Sequence, residues 1–92
     1  MTKAEWKVMK KAWQDKAEKI LLGKHIVKVE WMTDKECEDA MWYNKPICML
    51  LDDGTWIYPS KDDEGNDGGA LFTTSKVESC LPVMSIGDYS EC

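Results

Sequence analysis

Along the first two dozen residues the apolar positions recur every three or four places. Trp6, Met9, Trp13, Ala17, Ile20 and Leu21 therefore stack on one side of a helix. Thr2 and Glu5 stand at capping-box spacing and Gly23 follows the stripe, so the pattern predicts an amphipathic helix over residues 1–23. Lys3, Lys7, Lys10, Lys11 and Lys16 fall largely on its other side. They make either a solvated face or a basic surface for an acidic partner.

The period then shortens to two. Val27, Val29 and Trp31 alternate with Lys28 and Glu30, as in a half-buried strand running from Ile26 to Met32. Thr33 and Glu36 repeat the capping-box spacing and predict a short helix over 34–42, ending near Trp42 and Tyr43 and broken by Asn44, Lys45 and Pro46. The run Pro46-Ile47-Cys48-Met49-Leu50-Leu51 is continuously apolar, as expected of a central strand covered on both faces, and Asp53-Gly54 signals a two-residue hairpin turn. Thr55 to Tyr58 forms the return strand, ended by Pro59. Ser60 to Gly69 has almost no apolar side chain and reads as a loop. Ala70 to Thr73 reads as a short strand, and Leu81 to Ile86 as a last edge strand before a polar tail at 87–92.

These elements define an α+β domain spanning residues 1–92, with the helix at 1–23 and a β-rich body at 25–86. The body is expected to be a small, curved, mainly antiparallel sheet of four to five strands with one short inserted helix. An SH3-like barrel and a flatter sheet with the first helix across one face fit the same periodicity.

Composition narrows the class. The chain is 43% hydrophobic and 32% charged and carries five Trp, which supply bulk for a core. Residues 2–24 hold seven Lys against three acids, +4, and the remainder holds five Lys against fourteen acids, −9. All twelve basic residues are Lys. A chain without Arg lacks the bidentate fork suited to phosphate and guanine, so nucleic acid is a disfavoured partner. No apolar run approaches the roughly 18 residues of a membrane span, and the lysine-rich start is unlike a signal peptide. A cytoplasmic protein with no membrane partner is expected. Cys37, Cys48, Cys80 and Cys92 stand singly, which favours reduced thiols over a disulfide framework or zinc site.

The compositional oddity is Asp62-Asp63-Glu64-Gly65-Asn66-Asp67-Gly68-Gly69, where oxygen ligands and flexible backbone are concentrated. Ca or Mg coordination by the 61–69 loop is one reading. The EF-hand pattern fails, because with Gly68 as the turn glycine the third position is Gly65 and the twelfth Thr74. The other reading is a solvated connection, in which Gly supplies positive φ and Asn and Asp supply turn hydrogen bonds, with no cofactor. His25 has no motif tying it to a nucleophile, and Cys37 lies among Glu36, Glu38 and Asp39, whose charge opposes a thiolate. No phosphate loop, HExxH or GxSxG motif occurs, so no enzyme is expected. Trp31, Trp42, Tyr43, Trp56 and Tyr58 form either core or a recognition wall.

The stretch Leu50-Leu51-Asp52-Asp53-Gly54-Thr55-Trp56-Ile57-Tyr58-Pro59-Ser60-Lys61-Asp62-Asp63-Glu64-Gly65-Asn66-Asp67-Gly68-Gly69-Ala70-Leu71-Phe72 resembles a pattern of short uncharacterised proteins of bacteria and their phages. The similarity begins around His25 and covers roughly two thirds of the chain, leaving out the lysine-rich helix. It implies a bacterial or phage-encoded cytoplasmic protein and carries over no activity and no site residue.

The expected function is a non-enzymatic accessory or protein-interaction module, whose surface combines Trp56 and Tyr58 with Asp62, Asp63, Glu64, Asn66 and Asp67. A small-molecule or Ca/Mg-binding protein using the loop is the alternative. A helix-mediated homo-oligomer and a weak acidic nucleic-acid mimic complete the set.

Overall fold

The computed structural model describes residues 2–86; Met1 and the expected tail at 87–92 lie outside the described residues. Helix α1 spans Lys3–Leu21, and Thr2 caps it by accepting from the Glu5 amide. The chain leaves it through Gly23 at φ +76°, a left-handed conformation open to glycine. Strand β1 (Ile26–Trp31), helix α2 (Asp34–Ala40) and strands β2 (Asn44–Lys45), β3 (Ile47–Leu51) and β4 (Trp56–Ile57) follow. Strands β5 (Leu71–Phe72), β6 (Cys80–Leu81) and β7 (Met84–Ser85) complete the described fold.

This is an α+β protein with mainly antiparallel pairing. The expected single sheet of four to five strands is instead three antiparallel ladders, ordered β1-β3-β4, β2-β7 and β5-β6. Among the described residues they do not close into a barrel. Splitting follows from strand length, because five of the seven strands are two residues long and each pairs with one other strand only. Asn44 and Lys45, read as helix breakers, pair with Ser85 and Met84. The expected edge strand over 81–86 divides at Pro82, which lies between β6 and β7.

Strand β3 is central, as its apolar run requires, and Ile47, Cys48 and Leu51 are buried. Its hairpin to β4 is longer than the two-residue signal implies. Leu51 donates to the Thr55 carbonyl, leaving Asp52, Asp53 and Gly54 as a three-residue loop with Gly54 at φ +91°. Helix α2 has the full capping box of Thr33 and Glu36 but ends at Ala40, because Met41 adopts the left-handed conformation at φ 60°.

The core is small and lies where β1 and β3 meet α2: Met32, Cys37, Trp42 and Cys48, with Ile86 packed against it. Here the strand pattern misleads. Val27 and Val29 are 60% and 56% exposed, whereas on the opposite face Lys28 is exposed too and only the end of the strand, from Glu30 on to Met32, lies beside α2 and Trp42. A two-residue period identifies two faces, and the covering elements decide which is inside.

Helix α1 is as expected in extent but not in role. Among the described residues none of α1 is buried, and Trp6 and Trp13 are 51% and 63% exposed. The apolar stripe is left largely uncovered. The molecule is accordingly elongated, 54 × 28 × 28 Å with a radius of gyration of 15.9 Å, against about 12 Å for a compact chain of this length. Local contacts support the helix: Lys11 pairs with Asp15 at 3.3 Å, Gln14 donates to Glu18 at 3.1 Å, and Lys16 lies 4.6 Å from the Trp13 ring centroid.

Candidate functional site

The acidic loop is built inward. Asp67 is 8% exposed, and its Oδ1 accepts from the amides of Tyr43, Asn44 and Gly68 at 3.0, 2.9 and 2.8 Å. Its Oδ2 accepts from Asn44 Nδ2 at 3.0 Å. Burial pushes the Asp67 carboxyl up, but these donors outweigh it and the net shift is downward. The Asp67 carbonyl also accepts from Ser60 Oγ and the Lys61 amide, which closes the loop at its neck beside the Ser60–Gly68 bridge.

Asp62 works within the loop. Its Oδ1 accepts from the Glu64 and Asn66 amides and its Oδ2 from Asn66 Nδ2, and the Asn66 side-chain bond is the main reason its carboxyl lies below the usual range. Asp63 and Glu64 are exposed. The oxygens that suggested a Ca or Mg site therefore do not converge. Among the described residues no group of three His, Cys, Asp or Glu is placed to hold a metal ion. The glycines divide likewise: Gly65 has φ +73°, whereas Gly68 serves close approach, since a Cβ there would lie 2.2 Å from the Asn44 carbonyl oxygen. Gly65 also presents its carbonyl to Trp42 Nε1 at 2.7 Å, fixing the indole that floors the neighbouring cleft.

That cleft, of about 390 Å³, is the best-formed concavity described. One wall is Glu30 and Met32 at the end of β1, the other Glu36 and Ala40 of α2; Trp42 and Cys48 lie deep, and Trp56 and Tyr58 stand at the hairpin. Strand pairing explains the assembly. Glu30 opposes Cys48 across β1–β3 and Leu50 opposes Trp56 across β3–β4, so Glu30, Cys48, Trp56 and Tyr58 project from one face. Tyr58 meets Trp42 edge-on, with centroids 5.9 Å apart and planes at 65°. Trp42 is 7% exposed, while Trp56 and Tyr58 are 40% and 49% exposed.

Two carboxylates flank this aromatic surface. Glu36 closes the capping box through Oε1, leaving Oε2 outside it. Glu30 has Lys28 at 3.6 Å, a solvent-exposed and therefore weak pair. The local field is negative at the floor: burial, then Glu36, Glu30 and Cys37, push the Cys48 thiol up to about 11. Such a thiol stays protonated near neutrality and is a poor nucleophile. His25 is far from a catalytic arrangement too, lying exposed with Nδ1 3.2 Å from Asp52 Oδ2.

Of the residues singled out in the sequence, Trp56 and Tyr58 line the cleft, whereas Asp62, Asp63, Glu64, Asn66 and Asp67 do not. Glu30, Glu36 and Cys48 were missed. Glu30 looked like a solvent-face residue and Glu36 like a helix cap; the available signal was that Glu30, Met32 and Cys48 share a sheet face that Thr33 delivers directly to α2. A second apolar trough, of about 480 Å³, separates Trp13, Ala17 and Ile20 of α1 from Met49, Ile57 and Leu71.

The fold and cleft define a small α+β protein with an aromatic, acid-flanked recess. Comparison with known proteins adds no family to this: no family model matches the chain, and no curated protein or solved structure matches it significantly.

Proposed function

We propose that the protein is a non-enzymatic interaction module that receives a side chain of a protein partner in the cleft between α2 and the β3–β4 hairpin. The observation that carries this reading is the placement of Trp56 and Tyr58. Both rings are two-fifths or more exposed yet stand at the mouth of a recess floored by buried Trp42. Aromatic anchoring groups around a preformed recess are the usual makings of an interaction hot spot. Strand β4 beside them is an outer strand of its sheet, so backbone groups for an extended segment adjoin the cleft. The acidic loop supports the site by holding Trp42 and does not itself meet the ligand.

Selection from a random peptide display library on the intact protein tests this. Enriched peptides are expected to lose binding to Trp56→Ala and Tyr58→Ala; enrichment absent, or unchanged by both substitutions, overturns the proposal.

A second reading, self-association through α1, is favoured by the exposure of Trp6, Val8, Trp13 and Ile20 along one helix. It predicts a concentration-dependent mass in sedimentation equilibrium that Trp6→Lys with Trp13→Lys abolishes. A monomer at every concentration removes it.

A further inference from the structure

We infer that the cleft takes an alkylammonium group, and that its occupant is a lysine side chain of the partner. The inference rests on the reading of the cleft as the interaction site. Three aromatic rings, Trp42, Trp56 and Tyr58, line one recess, and ring faces attract a cation through their quadrupoles most strongly where water is partly excluded. Glu30 and Glu36 enter from different elements, β1 and α2, so a cation between them is approached by carboxylates from two sides. No Lys or His belongs to the lining, and the cation beside it, the exposed Lys28 3.6 Å from Glu30, makes a weak pair that an incoming ammonium can replace. The field at the floor has the same sign: Glu36 and Glu30 both disfavour a negative charge on Cys48.

An anionic ligand would meet two like charges there. A neutral apolar ligand would partly desolvate both carboxylates while supplying no charge to offset that cost, since among the described residues Glu30 has only the exposed Lys28 and Glu36 only its capping bonds from Thr33. At about 390 Å³ the recess is near the lower end of ligand pockets, suited to a chain end rather than a nucleotide or cofactor. Lysine fits in two parts. Its methylene stem packs on Trp56 and Tyr58, and its ammonium reaches the carboxylates. The outer strand β4 favours a lysine carried on an extended chain over a free amine.

The test is a titration of the full chain, followed through the indole N–H signals of Trp42 and Trp56 in NMR spectra. The probes are a short extended lysine peptide, the same peptide with norleucine, and n-butylammonium. Saturable shifts are expected with the lysine peptide, at least tenfold weaker binding with norleucine, and weakening as salt is raised. Glu30→Gln and Glu36→Gln should each lower affinity severalfold at unchanged melting temperature, because glutamine retains the capping box at position 36. Equal affinity for lysine and norleucine peptides, or undiminished affinity in the double Gln variant, overturns the cation inference. If displayed peptides sensitive to Trp56→Ala are enriched without basic residues, only the cation inference falls. Binding of n-butylammonium with no binding of any peptide overturns the partner lysine and, with it, the protein-interaction reading.

Discussion

Replacing Asp67 with alanine removes the link between the acidic loop and the segment that carries Trp42. The carboxylate accepts four hydrogen bonds, from the Tyr43, Asn44 and Gly68 amides and from Asn44 Nδ2. Hydrogen bonds to a charged acceptor contribute roughly 1.5–3 kcal/mol each, and a buried donor left alone costs about 1–3 kcal/mol. The Gly68 amide is buried, whereas Tyr43 and Asn44 are partly open, so water recovers a share of their loss. Full cost at Gly68 and partial cost at the other two gives about 3 kcal/mol. Out of a total of roughly 5–14 kcal/mol for a domain of this length, that is a large fraction. It corresponds to a melting-temperature drop on the order of 12–24 °C. Asp67→Asn keeps an oxygen for the amides but turns a donor toward Asn44 Nδ2, so it should fall between wild type and alanine. Urea unfolding followed by Trp fluorescence measures both. The Asp67 carboxyl titrates below its unfolded value of about 3.9, so its stabilisation is complete above that pH and is lost as pH falls through the folded value. The acid limb of the stability profile should therefore be shallower in Asp67→Asn. An alanine variant within about 0.5 kcal/mol of wild type would refute the reasoning, since only surface positions behave so.

Met41 is 81% exposed and holds the left-handed conformation that ends α2, so Met41→Gly should stabilise by about 0.5 kcal/mol in the same unfolding assay, relief of backbone strain exceeding the glycine entropy cost. With its thiol pushed up to about 11, Cys48 should alkylate far more slowly at pH 8 than half-buried Cys80, as should fully buried Cys37; peptide-resolved mass spectrometry gives the three rates. The Asp53 carboxyl is held down to about 2, first by its hydrogen bond from the Lys24 ammonium and then by Thr55. Lys24→Met should move its NMR titration upward, and any stability it contributes is present above pH ~4 and lost between there and ~2. Trp6→Ala on the exposed face of α1 should change stability by less than about 0.5 kcal/mol, whereas Trp42→Ala should cost about 3–5 kcal/mol by thermal melting.

How much was legible depended on whether a signal was local. Caps at Thr2 and Thr33, the apolar run of β3 and the Asp53-Gly54 turn act within a few residues, and the structure has all of them, the turn one residue longer than its two-residue signal. What failed was long-range. The alternation of β1 was real, but Val27 and Val29 are left exposed and the packing of the strand lies at its far end, where Glu30 and Met32 meet α2 and Trp42. The α1 stripe was real too, yet no described element buries it. The site shows the same division. Trp56 and Tyr58 were visible because aromatic residues beside a hairpin are conspicuous, and the loop acids misled because density of oxygen ligands in a sequence does not reveal their direction. Asp62 and Asp67 turn toward backbone amides, which is the chemistry that Asx residues share with ion ligands. The carboxylates that line the cleft are Glu30 and Glu36, from a strand and a helix cap where acids attract no notice. Their pairing depends on the Glu30–Cys48 register and on the turn at Met32 and Thr33 that swings α2 over the sheet. Shortening or lengthening that turn by one residue would leave both elements intact by local rules and still separate the two carboxylates from the aromatic recess.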